Sequence, residues 1–374
     1  MILDFGLLFS YKLETLPNEG DAAVPVISKK PGIEDVAREA GVSLGSVSRV
    51  LNNDPRASAR MRTRVLEVIR RLRYTPNSSA RMLARARSAA PGNIRTGVIG
   101  FAMSHKISSG MQDPYMSGIF TGLARELSTN GMRLVFEFIH DEQGRSPNSH
   151  AFMLHGAVDG VVVAGAWTER FTQRAISLWM PVVLAEAYAG SARCTAVLVD
   201  NYSGGFKAVE RLLKAGHRRI GIISGPRGYR TVQRRFDGCA AAFARYGFVV
   251  DRRLVQESDF FSESGATAMK RLMRLRPRPT AVFAMNDNTA LGAIAAARSL
   301  HLRVPHDVSI IGFDDIAAAA LVHPGLTTVA VSRERIGELA ALRMTELLSG
   351  RAEHVPAETT VPVHIVERHT VRTL

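Results

Sequence analysis

Five consecutive residues, Gly41-Val42-Ser43-Leu44-Gly45, match the G-x-S-x-G pattern that presents a nucleophilic serine in many hydrolases. Such a serine needs a strand before it, a helix after it, and histidine and acidic partners further along the chain. The residues before Ser43 have helical periodicity instead, and those around it are basic. We therefore interpret the match as a turn glycine followed by a serine that caps a helix, and not as a catalytic site.

Other catalytic, metal and cofactor patterns are missing from the sequence. It contains no H-E-x-x-H and no G-x-x-x-x-G-K-[ST], and Gly225-Pro226-Arg227-Gly228 has the wrong spacing for a dinucleotide-binding fingerprint. The only two cysteines, Cys194 and Cys239, exclude a Cys-rich zinc site and a disulfide framework, and they fit a reducing compartment. We predict that the protein is not an enzyme and uses no metal or cofactor.

Positive charge is concentrated near the N-terminus. The 374 residues contain 48 Lys and Arg against 34 Asp and Glu, a net charge of +14. Residues 29–90 contain 14 Lys and Arg against 5 Asp and Glu, so this sixth of the chain alone contributes +9. Such a concentration indicates a module that binds a polyanion. A solvated basic face is the alternative that charge alone leaves open.

Three short helices are predicted between residues 33 and 72. Residues 33–40 carry apolar side chains on one helical face, Gly41 suits a tight turn, and Ser43 suits the N-cap of a second helix. A third helix, rich in arginine, is predicted after Ser58. This order predicts a helix-turn-helix. The outward face of the second helix carries Leu44, Gly45, Ser48, Arg49 and Asn52.

Two runs, IEDVAREAGVSLGSVSRVLNNDP and RVLEVIRRLRYTPNSSARMLA, resemble the DNA-binding end of the lactose/galactose repressor (LacI/GalR) family. The resemblance implies that the second helix enters the major groove, where Arg49 can form two hydrogen bonds with a guanine. A surface ion pair is the alternative role for Arg49. Leu44 and Gly45 occupy the positions that set operator preference in the family, and the nearby serines suit phosphate contacts. The predicted DNA-binding residues are Ser43, Leu44, Gly45, Ser46, Ser48, Arg49, Asn52, Asn77 and Leu83.

Residues 77–83 resemble the family's hinge helix, which forms on DNA and inserts a leucine into the minor groove. Leu83 matches that leucine, and such a wedge unstacks one base step and kinks the duplex. The predicted organisation is an N-terminal extension that we expect to be flexible (1–28), the helix-turn-helix domain (29–76), the hinge helix and linker (77–92), and an effector-binding and dimerisation domain (93–374).

From Thr96 onward, short apolar runs alternate with helical segments, which is typical of parallel sheets joined by right-handed crossovers. The runs form two series, which predicts two lobes with a cleft at the carboxyl ends of the strands. The family resemblance continues here and implies a two-lobed α/β fold of the periplasmic-binding-protein type (type I), following the all-α N-terminal domain. The predicted strands begin at Gly97, Arg133, Gly160, Pro181, Ile220, Thr280 and Ser309.

The resemblance also implies a ligand site in this cleft. In the family, the positions of Arg235, Asn286 and Asp314 project into the cleft and hydrogen-bond a small polar ligand. Arg and Asp suit this role because each offers a two-pronged array of donors or acceptors. The position of Phe260 stacks on a sugar face, and that of Thr231 places a hydroxyl near the arginine. The alternatives are a core position for Phe260 and a structural ion pair for Arg235 and Asp314.

The other half of the predicted pocket departs from the family pattern. Asp113-Pro114-Tyr115-Met116 stands where the family usually has Asn-Pro and two aromatic residues, and Trp167 follows the third strand, where it can line the cleft. The ligand's identity therefore does not transfer: we expect a sugar, with a nucleobase or a sugar phosphate as alternatives. The predicted effector-binding residues are Asp113, Tyr115, Trp167, Thr231, Arg235, Phe260, Asn286 and Asp314.

Together these patterns predict a sequence-specific transcriptional regulator, which we expect to be a repressor controlled by the cleft ligand. One helix-turn-helix reads a half-site, so the predicted partner is palindromic double-stranded DNA bound by a homodimer. A sugar-binding transport protein would need a signal peptide and no helix-turn-helix, and a Rossmann-type enzyme would need the glycine fingerprint. No apolar run has the length of a membrane span, and we expect a cytoplasmic protein.

Overall fold

The computed structural model describes residues 32–51, 56–72, 96–104, 113–139, 158–165, 180–188, 194–350 and 357–374. The chain divides into two compact units, residues 1–94 and 95–374. Four predicted site residues, Asn52, Asn77, Leu83 and Trp167, lie outside the described residues, as does the predicted hinge helix and linker. None of the helices in the described ranges is long and apolar enough to cross a lipid bilayer.

The described part of the first unit contains three helices packed around a small apolar core. Gly41 ends the first helix in the left-handed conformation, with φ 59°, which favours glycine at this turn. Ser58 caps the third helix, because its Oγ accepts a hydrogen bond from the N–H of Met61 at 3.3 Å. The helices are α1 (Ile33–Ala40), α2 (Leu44–Leu51) and α3 (Ala59–Arg71). Their buried side chains are Val36, Ala37, Ala40, Val47, Val50, Val65 and Val68.

The second unit contains two six-stranded sheets, each the centre of one lobe. In the first lobe all described strand pairs are parallel, and the order is β11-β5-β4-β3-β1-β2. Its central strands are buried along their whole length, as continuous Val-rich runs predict. The elements are β1 (Val98–Ser104), α4 (Pro114–Thr129), β2 (Arg133–Ile139), β3 (Gly160–Ala164), β4 (Val182–Ala185), β5 (Thr195–Val199), α10 (Arg333–Ser349) and β11 (Glu358–Val361).

The second lobe repeats this plan with one antiparallel strand at the edge. Its order is β12-β10-β9-β8-β6-β7, and only β12 of these strands runs antiparallel to its neighbour. The strands are β6 (Ile220–Ser224), β7 (Val255–Glu257), β8 (Ala281–Ala284), β9 (Ser309–Asp314), β10 (Thr327–Val331) and β12 (Val363–Val366). The helices are α5 (Asn201–Lys214), α6 (Arg230–Arg245), α7 (Ser262–Arg274), α8 (Asp287–Ser299) and α9 (Ala317–Leu321).

Within the described residues the chain passes between the lobes three times. The crossings lie between β5 and α5 at Asp200, between β10 and α10 at Ser332, and between β11 and β12 at Pro362. The first and third crossings are tied together, because the N–H of Asp200 donates to the carbonyl of Val361 at 3.0 Å. The crossings therefore form a hinge on which the two lobes can change their separation.

Helices α5 and α6 pack at very short range, and this contact positions the cleft arginine. A Cβ atom added at Gly205 of α5 would lie 2.0 Å from the carbonyl oxygen of Arg235 on α6. A Cβ atom added at Gly238 of α6 would lie equally close, at 2.0 Å, to the carbonyl oxygen of Tyr202 on α5. Any residue larger than glycine at these points would move α6 and the Arg235 side chain with it.

The C-terminal segment is held against the second lobe by a buried histidine. The ring of His217 contacts the hydroxyls of Thr280 at 2.9 Å and Ser309 at 3.0 Å, and the carbonyl of Arg372 at 3.2 Å. Burial lowers the pKa of His217, so the neutral ring is favoured in the folded protein.

Candidate functional site

The exposed face of α2 carries most of the predicted base-reading residues. Leu44 is 48% exposed, and Gly45 and Arg49 are also exposed, whereas Ser48 is half-buried. Arg49 makes no ion pair or hydrogen bond with any described residue, unlike Arg38 and Arg71, which pair with Asp35 and Glu39. The exposed guanidinium of Arg49, which has no partner among the described residues, can therefore reach a base edge or a phosphate.

Two serines at the start of α2 have different environments. Ser43 is exposed, and its Oγ accepts from the N–H of Ser46 at 3.2 Å, as an N-capping serine does. Ser46 is buried, and its hydroxyl lies 3.0 Å from the Ser43 Oγ. In the free module both hydroxyls thus support the turn, and a phosphate contact by Ser46 would require its hydroxyl to turn outward.

A cleft lies between the two lobes, and its volume is about 590 Å³ when the solvent-filled space at its opening is included. Seven of the eight predicted effector-binding residues line it, and the eighth, Trp167, lies outside the described residues. The described lining residues are Asp113, Tyr115, Met116, Gly165, Glu186, Thr231, Arg235, Phe260, Asn286, Asn288, Asp314 and Ile316.

Arg235 is fixed in the wall of the second lobe by its neighbours. Its Nε donates to Oδ1 of Asn201 at 2.6 Å, and its Nη1 donates to the carbonyl of Met285. The guanidinium also lies 3.7 Å from the centroid of the Phe313 ring, a cation–π contact. These contacts hold the guanidinium in one orientation. Its third nitrogen, Nη2, lies 3.9 Å from Oδ1 of Asp314 and has the weakest contact of the three.

Asp314 ends strand β9 in an unusual environment for a carboxylate. It is 7% exposed, its φ is 114°, and its Oδ1 has no hydrogen-bond partner among the described residues. Burial raises the pKa of Asp314 well above its ordinary value, and Arg235 opposes that rise. A buried, unpaired acceptor is costly to folding and is a common feature of ligand sites.

Asp287 supports the turn that carries Asp314. Its Oδ2 accepts from the N–H of Ile316 at 2.9 Å, and its Oδ1 accepts from the hydroxyl of Thr328 at 2.6 Å. The first of these bonds ties the start of α8 to the segment that follows Asp314. Burial raises the pKa of Asp287 to about 7.

The first lobe contributes Asp113 and Tyr115 from the start of α4. Asp113 caps this helix, since its Oδ1 accepts from the N–H of Tyr115 at 2.9 Å. The Tyr115 hydroxyl is buried and interacts with the Glu186 carboxylate, but it makes no hydrogen bond of good geometry with any residue in the described part of the chain. Burial raises the pKa of Tyr115 well above its ordinary value, and the charges of Glu186 and Asp314 raise it further.

Glu186 was not predicted from the sequence, yet it is the most deeply buried acid in the cleft. It is 3% exposed, follows β4 directly, and has a positive φ of 57°. Its carboxylate accepts hydrogen bonds from the N–H of Val199 and, at 3.4 Å, from Nδ2 of Asn201. Burial raises the pKa of Glu186. The signal was present, because an acid directly after the apolar run PVVLA lies at the carboxyl end of a buried strand.

The remaining predicted residues complete the second-lobe wall. Thr231 precedes Arg235 by four residues on α6, so the two share a helical face. The Phe260 ring packs over Gly225, where an added Cβ would lie 2.1 Å from the ring, and it borders both core and cleft. The Asn286 amide caps α8 and donates to the carbonyl of Phe260 at 3.0 Å, which leaves one amide hydrogen for a ligand. Asn288 also lines the cleft and was not predicted.

Comparison with known proteins places both units in one family. The family model for bacterial regulatory proteins of the lacI family matches residues 32–77, and the model for a periplasmic binding protein-like domain matches residues 209–371. The repressor PurR of Proteus mirabilis is 31% identical over 347 residues, which cover 91% of this chain and 96% of the relative. The chain belongs to the LacI family.

Other LacI-family members extend the same match. The regulator CelR of Thermobifida fusca is 31% identical, and the match covers 90% of this chain and 96% of CelR. The repressor CytR of Escherichia coli strain K12 is 32% identical, and the match covers 85% of this chain and 90% of CytR. A solved structure of CelR with cellobiose covers 91% of this chain and all of its own, with 28% identity and a TM-score of 0.65. The operator-bound Lac repressor dimer shares the fold at 24% identity, with a TM-score of 0.77 and coverage of 92% and 100%.

The LacI-family assignment confirms the predicted resemblance and the predicted fold class. The protein is a DNA-binding transcriptional regulator with a ligand-binding domain, and these relatives are regulators rather than enzymes. The individual DNA-binding and effector-binding residues, the domain limits and the class of ligand stay predictions.

Proposed function

We propose that the protein is a repressor that binds palindromic operator DNA as a homodimer and changes its operator affinity when a sugar occupies the cleft. The proposal rests on a cleft whose two walls each present a buried polar atom, the Tyr115 hydroxyl and Oδ1 of Asp314, that lacks a hydrogen bond of good geometry among the described residues. A ligand that bonds both atoms bridges the lobes and stabilises one lobe separation over another. That difference in affinity is what allows a ligand to shift a conformational equilibrium.

On the DNA side, α2 is the proposed recognition helix. Its exposed Arg49 would form two hydrogen bonds with a guanine, and the exposed Leu44 would make apolar contact with a base edge. Gly45 would allow close approach of the backbone. Ser43 and Ser48, together with the arginines of α3, would hold the helix in register through phosphates. Asn52, Asn77 and Leu83 remain proposed contacts from outside the described residues.

Homodimer formation is supported by exposed apolar side chains on the effector domain. Val135 and Phe136 are consecutive residues of β2, the edge strand of the first sheet. Their side chains point to opposite faces of the sheet, and both are exposed. Leu321 on α9 of the second lobe is 84% exposed. The Lac repressor in the structure named above is a dimer on its operator, and the same assembly here would match a palindrome.

A sugar fits the cleft better than a sugar phosphate. Paired carboxylates and a fixed guanidinium suit vicinal hydroxyls, which donate and accept together. A phosphate would meet Asp113, Glu186 and Asp314 with like charge. CelR was solved with cellobiose, and a LacI-family regulator of Enterococcus faecium was solved with ribose. We infer that the protein acts in the bacterial cytoplasm, where its operator lies.

The test starts from DNA fragments that the purified full-length protein retains from sheared genomic DNA. We expect a shared palindrome among them, and a change in affinity for it when one of a panel of sugars is added. Binding without sequence preference, or an operator affinity that no sugar or nucleobase changes, would contradict the proposed function.

A further inference from the structure

Acidic groups outnumber basic groups among the described residues that line the cleft. Three of these residues carry carboxyl groups, Asp113, Glu186 and Asp314, whereas Arg235 alone carries a positive charge. Glu186 and Asp314 are almost completely buried, so water screens their charges poorly. The described walls therefore present a negative potential to a bound molecule.

Arg235 cannot neutralise both buried carboxylates. Its Nε and Nη1 are committed to Asn201 and Met285, and its contact with Asp314 is 3.9 Å, beyond hydrogen-bond distance. Glu186 is bonded by the N–H of Val199 and by Asn201, which carry no charge. Among the described lining residues the two buried acids thus share Arg235 as their cation, and keeping both ionised without a further cation is costly in a buried site.

The two buried acids lie close to one point, on opposite walls. Glu186 belongs to the first lobe and Asp314 to the second. Both acids line the same cleft as Tyr115, and both raise the pKa of its buried hydroxyl, Glu186 more than Asp314. A donor placed beside this hydroxyl could therefore approach both carboxyl groups.

We propose that the effector carries a protonated amino group, and that Asp314 and Glu186 bind this ammonium between the two lobes. The ligand class is a small hydroxylated amine, such as an amino sugar. The inference rests on the proposed function, because it assigns the chemistry of the same effector cleft. An ammonium supplies three donors and the missing positive charge, and a hydrogen bond to a charged partner is about twice as strong as a neutral one.

Matched pairs of ligands test the charge requirement. Glucosamine, galactosamine and mannosamine are compared with glucose, galactose and mannose, with the N-acetylated amines and with the 6-phosphates, by titration calorimetry on the full-length protein slightly below neutral pH. We expect at least one amine to bind roughly tenfold to a hundredfold more tightly than its hexose and its N-acetyl derivative, as loss of a charged hydrogen bond predicts.

Tighter binding by a hexose, an N-acetyl derivative or a phosphate than by every amine overturns the inference. If such a neutral ligand also changes operator affinity, the proposed function stands and only the ammonium is wrong. If no panel member binds or changes operator affinity, both the inference and the sugar class of the proposed function fail.

A substitution that removes the charge of Glu186 tests independently whether its carboxylate binds the ammonium. Glu186→Gln keeps the shape of the side chain, and we expect it to reduce the preference for the amine over its hexose at least tenfold. The control is Glu263→Gln, an exposed glutamate of α7 outside the cleft, which should keep the full preference. If Glu186→Gln does not fold, Asp314→Asn replaces it with the same expectation. An unchanged preference in the folded variant contradicts the inference.

Discussion

Replacing Asp314 by asparagine should stabilise the fold while weakening effector binding. The carboxylate is buried, its Oδ1 has no hydrogen-bond partner among the described residues, and its contact with Arg235 is 3.9 Å long. An unsatisfied buried polar group costs about 1–3 kcal/mol. Asparagine leaves a buried amide at this position but carries no charge, and it tolerates a positive φ comparatively well, so Asp314→Asn should recover the extra cost of burying the charge, on the order of 1 kcal/mol near neutral pH.

The sign of the pH dependence follows from the raised pKa of Asp314. A carboxyl group whose pKa is higher in the folded state binds its proton more tightly there, so its stabilising effect is complete at low pH and is lost as pH rises. Wild type should therefore lose stability relative to the variant above about pH 4, by at most about 1.4 kcal/mol per pH unit. Comparing the two proteins cancels the titration of groups that both contain, except where they couple to Asp314.

The assay is thermal and urea unfolding of both proteins at several pH values between about 5 and 8, where each kcal/mol moves Tm by about 2–4 °C. The control is Asp315→Asn. That aspartate is half-buried and paired with Arg368 at 2.7 Å, so its loss should destabilise the fold slightly. If Asp314→Asn is the less stable protein at about pH 8, attraction to Arg235 outweighs burial and the reasoning is refuted.

Four further predictions address other parts of the molecule. Arg49→Ala should cost about 1–3 kcal/mol on the operator and much less on random DNA in anisotropy titrations, and equal losses would make Arg49 a phosphate contact. Leu83→Ala should reduce both affinity and DNA bending in a permuted-fragment gel assay, and unchanged bending would exclude a wedge. Because burial lowers the pKa of His217, the fold should lose stability below about pH 6.5, by at most about 1.4 kcal/mol per pH unit, and a His217→Gln variant with the same pH slope would refute this. Gly205→Ala should destabilise the domain by about 1–3 kcal/mol in urea unfolding, because the added Cβ overlaps the Arg235 carbonyl, and an unchanged midpoint would contradict that contact.

The sequence predicted the helix-turn-helix closely because its signals are local. Gly41 in the left-handed conformation and the capping serines at positions 43 and 58 lie where the periodicity places them. The predicted strands starting at Gly160 and Ile220 also match β3 and β6, whose apolar runs are continuous. Short strands gave weaker signals: β7 has three residues, and only Pro362 separates β11 from β12. Their pairing depends on which lobe each segment joins, and no local pattern specifies that.

The cleft was predictable where side-chain chemistry and family position agree, as for Arg235 and Asp314, which line it together. The sequence could not reveal that the Asn286 side chain already accepts from the N–H of Thr289 and donates to the carbonyl of Phe260. Nor could it reveal that Arg235 is held by Asn201. Glu186 was missed because an acid directly after an apolar run marks the carboxyl end of a strand without showing whether that end lies in a cleft or in solvent. Its hydrogen-bond donors, the N–H of Val199 and Nδ2 of Asn201, come near it only in the assembled fold.

The central claim is that occupancy of the cleft and occupancy of the operator are linked. The direct measurement is the affinity of the full-length protein for the sugar that binds it, by calorimetry with and without saturating operator, beside its operator affinity with and without saturating sugar. We expect both ratios to be the same factor, typically about 5–150, because coupling between two sites is reciprocal. A sugar that binds the cleft and leaves operator affinity unchanged would show that the two sites are not linked.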